Sequence, residues 1–473
     1  MDDACFSATV LKKLPLADAC WHLLRYSMND PWLQEIWAAD RGRCYERELP
    51  FPLLAHLVSE ALLQHGGSGR QAFERAKEEG RLPVAINSAF EKLSNVPLEV
   101  SESFLRQGTQ RMQEVLPCDA SIHAQASCWV DFDLFAIDGK AIKHVKRLLK
   151  PLRSLQAGIL GARAAVGLNL RSGQAVAMVG HVDGETGEAD LARSLLPQLA
   201  TASGKQSWLA VLDRLYCNLK FPHDVLAAGG HFVVRYDAHT SFNPDPDRCF
   251  RESVDEQGQR LVQRWGWLGK ATDRRRLYVR EVTRFLADGK KICVVTDLLD
   301  EQVFPAAELL ALYRQRWSIE RVFHQITDVF SLKKLIGTNP KAVLFQLAFC
   351  LTLYNTLQVV RAHIAAHQDI EAETISNEKL FYDLRRQLIS VQELVKVPQL
   401  LDLLQDVPTA KEMKAYLESC LQGTWSKRWI KAPSSRGGGH QKVNKTRVLG
   451  NHTSTYRVLQ ELKHAQKSSQ KDP

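Results

Sequence analysis

Tyr313, Arg316 and Glu320 lie in AAELLALYRQRWSIERVFHQITDVFS, 26 residues from Ala306 to Ser331, with no proline between Pro305 and Pro340. The stretch predicts one helix, and at about 100° per residue these positions (i, i+3, i+7) fall within roughly 60° of each other. A carboxylate beside a cation and a phenol suits metal and phosphate chemistry, although Arg-to-Glu pairs also decorate solvated helices and aromatics at this spacing also fill cores. Two more carboxylates end apolar strands: Asp138 closes FAID before Gly139, and Asp213 closes AVLD before Arg214. Either alone reads equally as a turn or cap residue. With Glu320 they make an all-oxygen set without histidine or cysteine, which suits hard Mg²⁺ or Mn²⁺ rather than zinc. A pair of such ions about 4 Å apart stabilises both the attacking and the leaving oxygen of an in-line displacement. That is phosphodiester chemistry.

The surroundings of these acids are basic. KAIKHVKRLLKPLR places Lys140, Lys143, Lys146, Arg147, Lys150 and Arg153 directly after Asp138. A metal site beside such a cluster expects a long anionic substrate, and a solvated basic loop is the alternative. The net charge of +9 resides in residues 421–473, which hold 11 Lys and Arg against Glu461 and Asp472; the first 420 residues balance at 51 of each sign. Three consecutive glycines and little apolar periodicity give this segment the character of a mobile tail that follows a polyanion through phosphate contacts, or of a solubilising terminus. Trp425 and Trp429 sit among its cations, where an aromatic can stack on a base or anchor the segment.

The elements that would position these residues divide the chain by pattern. Residues 1–125 read as short helices broken by turns, with Ser101 as a cap ahead of Phe104 and Leu105, and they allow either a helix-turn-helix reader or a plain helical bundle. From about Ser127, CWVDFDLFAIDG, a hairpin about Arg171-Ser172-Gly173-Gln174, the helix EADLARSLLPQLA and the strands SWLAVLDRLY and HFVVRY argue for an α/β unit. Its mixed sheet and flanking helices extend over 126–370, with an antiparallel β insert at about 240–304. A helical region over 371–420 and the basic tail over 421–473 complete the division. ISNEKLFYDLRRQLISVQELV suits either packing on the core or dimerisation.

At 473 residues the chain has length for two or three domains with sizeable cores. Its longest apolar run, Ala342 to Leu353, has 12 residues, too few to span a bilayer, and reads as a buried helix. The start, MDDACFSATV, supports no signal or transit peptide, so the expected setting is the cytoplasm, away from membranes. Ten scattered cysteines, without C-x-x-C, read as reduced core thiols.

Taken together, FAIDGK, LDRLY and YRQRWSIERVFH resemble the bacterial insertion-sequence transposases of the DDE class, in the group marked by a Y-R-E signature (the IS-four group). Their order matches, as does the β insert between the second aspartate and the glutamate. The likeness covers roughly Cys128 to Ile370, and more faintly INSAFEKLSNVPLEVSESFL, which looks like the family's end-binding region. The resemblance implies a ribonuclease-H-like core in which Asp138, Asp213 and Glu320 bind two Mg²⁺ or Mn²⁺ ions per active site. It further implies nicking at transposon ends, attack of the freed 3′ hydroxyl on target DNA, and a homodimer on double-stranded DNA. Tyr313 and Arg316 would grip phosphates near the cut. Where the family places a lysine, seven residues beyond the glutamate, this chain has Thr327; His324 and Lys334 fall near the same face as replacements. Some relatives hold a flipped base against tryptophan from the insert, and RWGWLGK offers Trp265 and Trp267 between Arg264 and Lys270. Two other readings share these motifs: a sequence-specific DNA-binding factor that has lost catalysis, and a metal-dependent endonuclease without strand transfer.

Overall fold

The computed structural model of the protein describes residues 9–44, 46–117, 126–143, 158–205, 207–286, 289–330, 332–395, 409–431 and 452–469. Six helices come first: α1 (Pro15–Ser27), α2 (Asp30–Asp40), α3 (Phe51–Leu63), α4 (Gly69–Glu78), α5 (Ile86–Asn95) and α6 (Leu98–Glu114). Ser101 is not the cap of α6. The helix already starts at Leu98 after Pro97, whose fixed φ suits that position, and Ser101 bonds back to the Pro97 carbonyl at 3.4 Å.

The centre is a mixed sheet. Its strands are β1 (Phe132–Ile142), β3 (Ala162–Asn169), β4 (Ala175–His181), β5 (Ser207–Leu212), β6 (His231–Arg235), β7 (Phe242–Pro244), β8 (Arg251–Val254), β9 (Arg260–Leu268), β10 (Leu277–Phe285) and β11 (Lys291–Thr296). They run in the order β4-β3-β1-β5-β6-β11-β10-β9-β7, with β8 on β9. β1, β3 and β4 are antiparallel neighbours, whereas β5 and β6 lie parallel to β1 and follow the crossover helices α7 (Glu188–Ala202) and α8 (Lys220–Ala227). Three antiparallel strands followed by two parallel ones is the ribonuclease-H-like arrangement. The insert is joined to this core: β11 pairs antiparallel with β6, so one ten-stranded sheet runs through both.

The apolar runs follow from burial on both faces. Leu134 and Ala136 of β1 face one core with Leu209 and Val211 of β5, while Phe135 and Ile137 face the other with Leu191, Leu195 and Leu199 of α7. The first core also holds α9 (Ala306–Gln315), α10 (Trp317–Asp328) and α11 (Pro340–His367). α11 extends well beyond the 12-residue run seen in the sequence; its 28 residues are long and apolar enough to cross a membrane, yet the apolar window is wholly buried in the protein. Asn355 within it ties three elements, donating to the Thr109 hydroxyl of α6 and the Ala175 carbonyl of β4 at 2.8 Å each and accepting from the Ala175 N–H at 2.9 Å.

Beyond α11, α12 (Asn377–Leu394) and α13 (Ala410–Leu421) pack on α1. The segment read as a mobile tail is structured in part. His452–Ser454 (β12) pairs in parallel with Gly158–Leu160 (β2), and α14 (Thr455–Ser469) follows, with Arg457 bonded to Asp183 at 2.8 Å. The glycine-rich part of the tail lies outside the described residues.

Candidate active site

Parallel pairing places the two aspartates. Ala136 of β1 lies opposite Val211 of β5, and Asp138 and Asp213 each stand two residues further on, toward the same face. Asp213 follows the end of β5, whereas Asp138 does not close its strand as expected but lies within β1, opposite Val166 of β3, because pairing with β3 carries β1 on to Ile142. Asp138 accepts from the Gly139 N–H at 2.9 Å. Asp213 caps the single turn Arg214–Tyr216, accepting from the Arg214 N–H at 2.8 Å.

The third acid comes from the helix packed on that face. The helix expected over 306–331 is two helices, α9 and α10, broken at Arg316, where the backbone tightens to i−3 bonds (Arg316 N–H to Tyr313 O, 3.1 Å; Ile319 N–H to Arg316 O, 3.2 Å). Tyr313 and Arg316 are buried at 3% and 2% exposure, while Glu320 is half-buried and accepts from Arg316 at 2.8 Å. The guanidinium acts on all three acids: it draws the Asp138 carboxyl down, and Asp213 and Glu320 help to keep Arg316 charged despite its burial. The Tyr313 hydroxyl and the Arg316 Nε are buried without a hydrogen-bond partner. Among the described residues no three His, Cys, Asp or Glu side chains converge closely enough to hold one ion, because Glu320 is drawn to Arg316 instead.

Asp138 is the perturbed acid. Burial, and then the carboxylate of Glu188, push it up to about 7, with Glu320 adding to the rise and the Gly139 N–H and Arg316 opposing it. Glu188 is absent from the sequence reading. It is the first residue of α7, where an acid ordinarily serves the helix dipole, so nothing in the sequence marks it. A cavity of about 580 Å³ beside Asp138 is lined by Glu188, Glu320, Lys140, Lys143, Arg163 and His324 among others.

Lys140 reaches from β1 to α10, donating to the Thr327 hydroxyl at 3.0 Å and the Phe323 carbonyl at 3.3 Å. His324 is exposed and paired with Asp328 at 3.3 Å, and Lys143 and Lys334 are exposed. Lys146, Arg147, Lys150 and Arg153 lie outside the described residues. Trp265 is not available to a base: it is 1% exposed, its Nε1 donates to the Leu299 carbonyl at 2.9 Å, and the Arg248 guanidinium covers its ring at 4.0 Å. Trp267 is half-buried under Arg276. Trp317, which the sequence reading passed over, is 51% exposed next to Arg316.

Residues 130–356 match the family model described as the transposase DDE domain. Over that stretch, a little under half of its length, the chain is similar to DDE transposases. The candidate transposase y4zB of Sinorhizobium fredii is 24% identical over 156 residues, 32% of this chain and 41% of that protein, so the match spans less than half of the curated relative. A solved piggyBac transposase synaptic complex with hairpin DNA aligns over 93% of this chain and 88% of its own at 10% identity and a TM-score of 0.32, too slight a likeness to bear on the fold. The matched stretch spans β1 to the middle of α11 and takes in Asp138, Asp213 and Glu320.

Proposed function

We propose that the protein is a DNA transposase that cleaves at the ends of an insertion sequence and joins the 3′ ends to target DNA, with Asp138, Asp213 and Glu320 holding Mg²⁺ or Mn²⁺ ions, two per site. The observation that supports this most is that two aspartates stand at matching positions of adjacent parallel strands, one within β1 and one just past β5, on the face that carries the Glu320 helix, inside the stretch that matches the transposase DDE domain. The donor set fits hard divalent ions: it is all carboxylate, and the mutual repulsion it carries is what a cation relieves. Such ions, when bound, polarise the scissile phosphate and stabilise the attacking and leaving oxygens.

The chain's own residues do the rest. Arg316 and Tyr313 present buried, unpartnered donors beside the acids, suited to phosphate oxygens. On DNA binding, Arg316 exchanges Glu320 for a phosphate and frees that carboxylate for the metal. Lys140 brings an ammonium to Thr327, where the family carries a lysine on the helix, and takes over that contact. Trp317 replaces Trp265 as the aromatic placed to stack on an unpaired base. The partners are double-stranded DNA, as element ends and as target, and a second copy of the chain, since two ends must be joined in one complex. The domain division follows the same reading: 1–125 contacts the ends, 126–370 does the chemistry, and 371–420 and the tail support the assembly.

A strand-transfer assay tests this. A duplex of the element's end, already cut to a free 3′ hydroxyl, is mixed with a supercoiled plasmid in Mg²⁺ or EDTA. Joined product only in Mg²⁺, and none with Glu320→Gln, is expected. An uncut end duplex and a Mn²⁺ series are run beside it: binding with neither cutting nor joining in either metal makes the protein a DNA-binding factor, and cutting of the uncut end without joining makes it an endonuclease.

A further inference from the structure

We propose that Glu188 is a fourth carboxylate of the metal site and that Tyr216 is its positioning residue; this rests on the transposase reading. α7 packs its apolar side against the face of β1 opposite to that of Asp138, through Leu191 and Leu195 on Phe135 and Ile137. Its first side chain extends along that same face to Gly139, the residue beside Asp138 within β1. The Glu188 carboxylate lies directly on Gly139: a Cβ there would be 2.2 Å from the Glu188 Cδ and 2.4 Å from Oε2. The other oxygen, Oε1, accepts from the Tyr216 hydroxyl at 3.0 Å. Tyr216 is fully buried, three residues past Asp213, so one hydroxyl joins the second aspartate's turn to an acid resting on the first aspartate's neighbour. Glu188 lines the cavity that Glu320 also lines.

The site asks for a ligand independently of its acids, since the Arg316 Nε is buried without a partner on a guanidinium that acts on Asp138 and Asp213. The arrangement also accounts for residue types that the triad alone leaves unexplained. A side chain at position 139 would push the Glu188 carboxylate aside, and the buried ring at 216 carries its hydroxyl to that same acid. A first-turn acid serving only the helix dipole requires neither.

The test is a Mn²⁺ titration of the purified full chain, followed by the loss of the free-ion EPR signal, for wild type, Glu188→Gln, Gly139→Ala, Tyr216→Phe and Glu320→Gln, with thermal unfolding of each in EDTA. Glu188→Gln is expected to weaken Mn²⁺ binding by about tenfold or more, the loss typical of a ligand or its close support. Gly139→Ala should act in the same direction while keeping every charge, which separates ligation from a change of local charge. Tyr216→Phe should weaken binding a few-fold with the fold intact, and it carries the test if Glu188→Gln does not fold. Wild-type affinity in both Glu188→Gln and Gly139→Ala, beside a loss in Glu320→Gln, overturns the role of Glu188 and leaves the three-acid site standing. Equal binding in wild type and Glu320→Gln removes both.

Discussion

Asp138 shows what holding this site ready costs the protein. Its folded pKa stands at about 7 against an ordinary 3.8, through burial first and the Glu188 carboxylate second. An acid raised in this way contributes stability that is fully present below its unfolded pKa and is lost as pH rises through about 7. The loss is at most about 4 kcal/mol at about 1.4 kcal/mol per unit. Asp138→Asn, which cannot ionise, is therefore expected to melt above wild type at pH 8 in EDTA, with the gap closing toward pH 4. Thermal unfolding across that range checks it, and a variant that melts lower at pH 8 would contradict the assigned environment. Catalytic acids held near one another trade stability for function in this direction. At this scale the sequence was partly legible. An aspartate closing an apolar run stands out, although β1 itself continues past Asp138 to Ile142. Glu188 did not stand out, because an acid opening a helix already has an ordinary reason to be there. Trp265 misled because the cations flanking it in sequence suggested a platform for a base, whereas Arg248, far away along the chain, already covers the ring.

Among the elements, β1 and α10 decide the site together. The strand supplies Asp138 and Lys140 toward the helix, and the helix supplies Glu320 and Thr327 toward the strand. Lys140→Ala is expected to slow end cleavage by about tenfold, in line with losing one buried charged contact of about 1.4 kcal/mol. Adding Thr327→Lys to that variant returns an ammonium from the helix side and should restore most of the rate; cleavage kinetics of the single and double variants measure it. No recovery in the double variant would show that Lys140 acts elsewhere. The strands, their hairpin at Gly173 and the buried helix after Pro340 were legible from apolar runs and turn residues. The break at Arg316 was not, since neither glycine nor proline marks it and only the burial of that side chain among three acids accompanies it. The pairing of β11 with β6 was also hidden, because which strand an insert returns to depends on contacts far apart in sequence.

The whole molecule is tied through α11. Asn355 joins α6 of the helical N-terminal region to β4 of the sheet, and His363 meets the Val115 carbonyl at 2.9 Å. Helical region and sheet share one core, so unfolding is expected as one cooperative transition for both. Asn355→Ala leaves the buried Ala175 N–H without its partner, while the carbonyl keeps the Thr109 hydroxyl at 3.1 Å, and should cost about 1–3 kcal/mol. Calorimetry resolving two separated transitions in the wild type would contradict this coupling. The C-terminal region is held at several points, by Tyr416 on Asp18 at 2.8 Å and by β12 on β2, the short strand that precedes β3. Composition alone foresaw the positive charge of that end but not its seats on the fold, since a three-residue strand carries no pattern of its own.

The most direct measurement is cleavage of a supercoiled plasmid carrying the element's own ends, in Mg²⁺ and in EDTA, by wild type and by Asp138→Asn, Asp213→Asn and Glu320→Gln, with end binding followed in parallel. Metal-dependent cuts at the ends by wild type, and a loss of about 10³-fold or more in each variant with binding retained, is the expected result, of the size met when a group acting in the transition state is removed. Cutting at an undiminished rate by any one of the three variants, or equal cutting in EDTA, would contradict the assignment of these acids as the metal-holding centre.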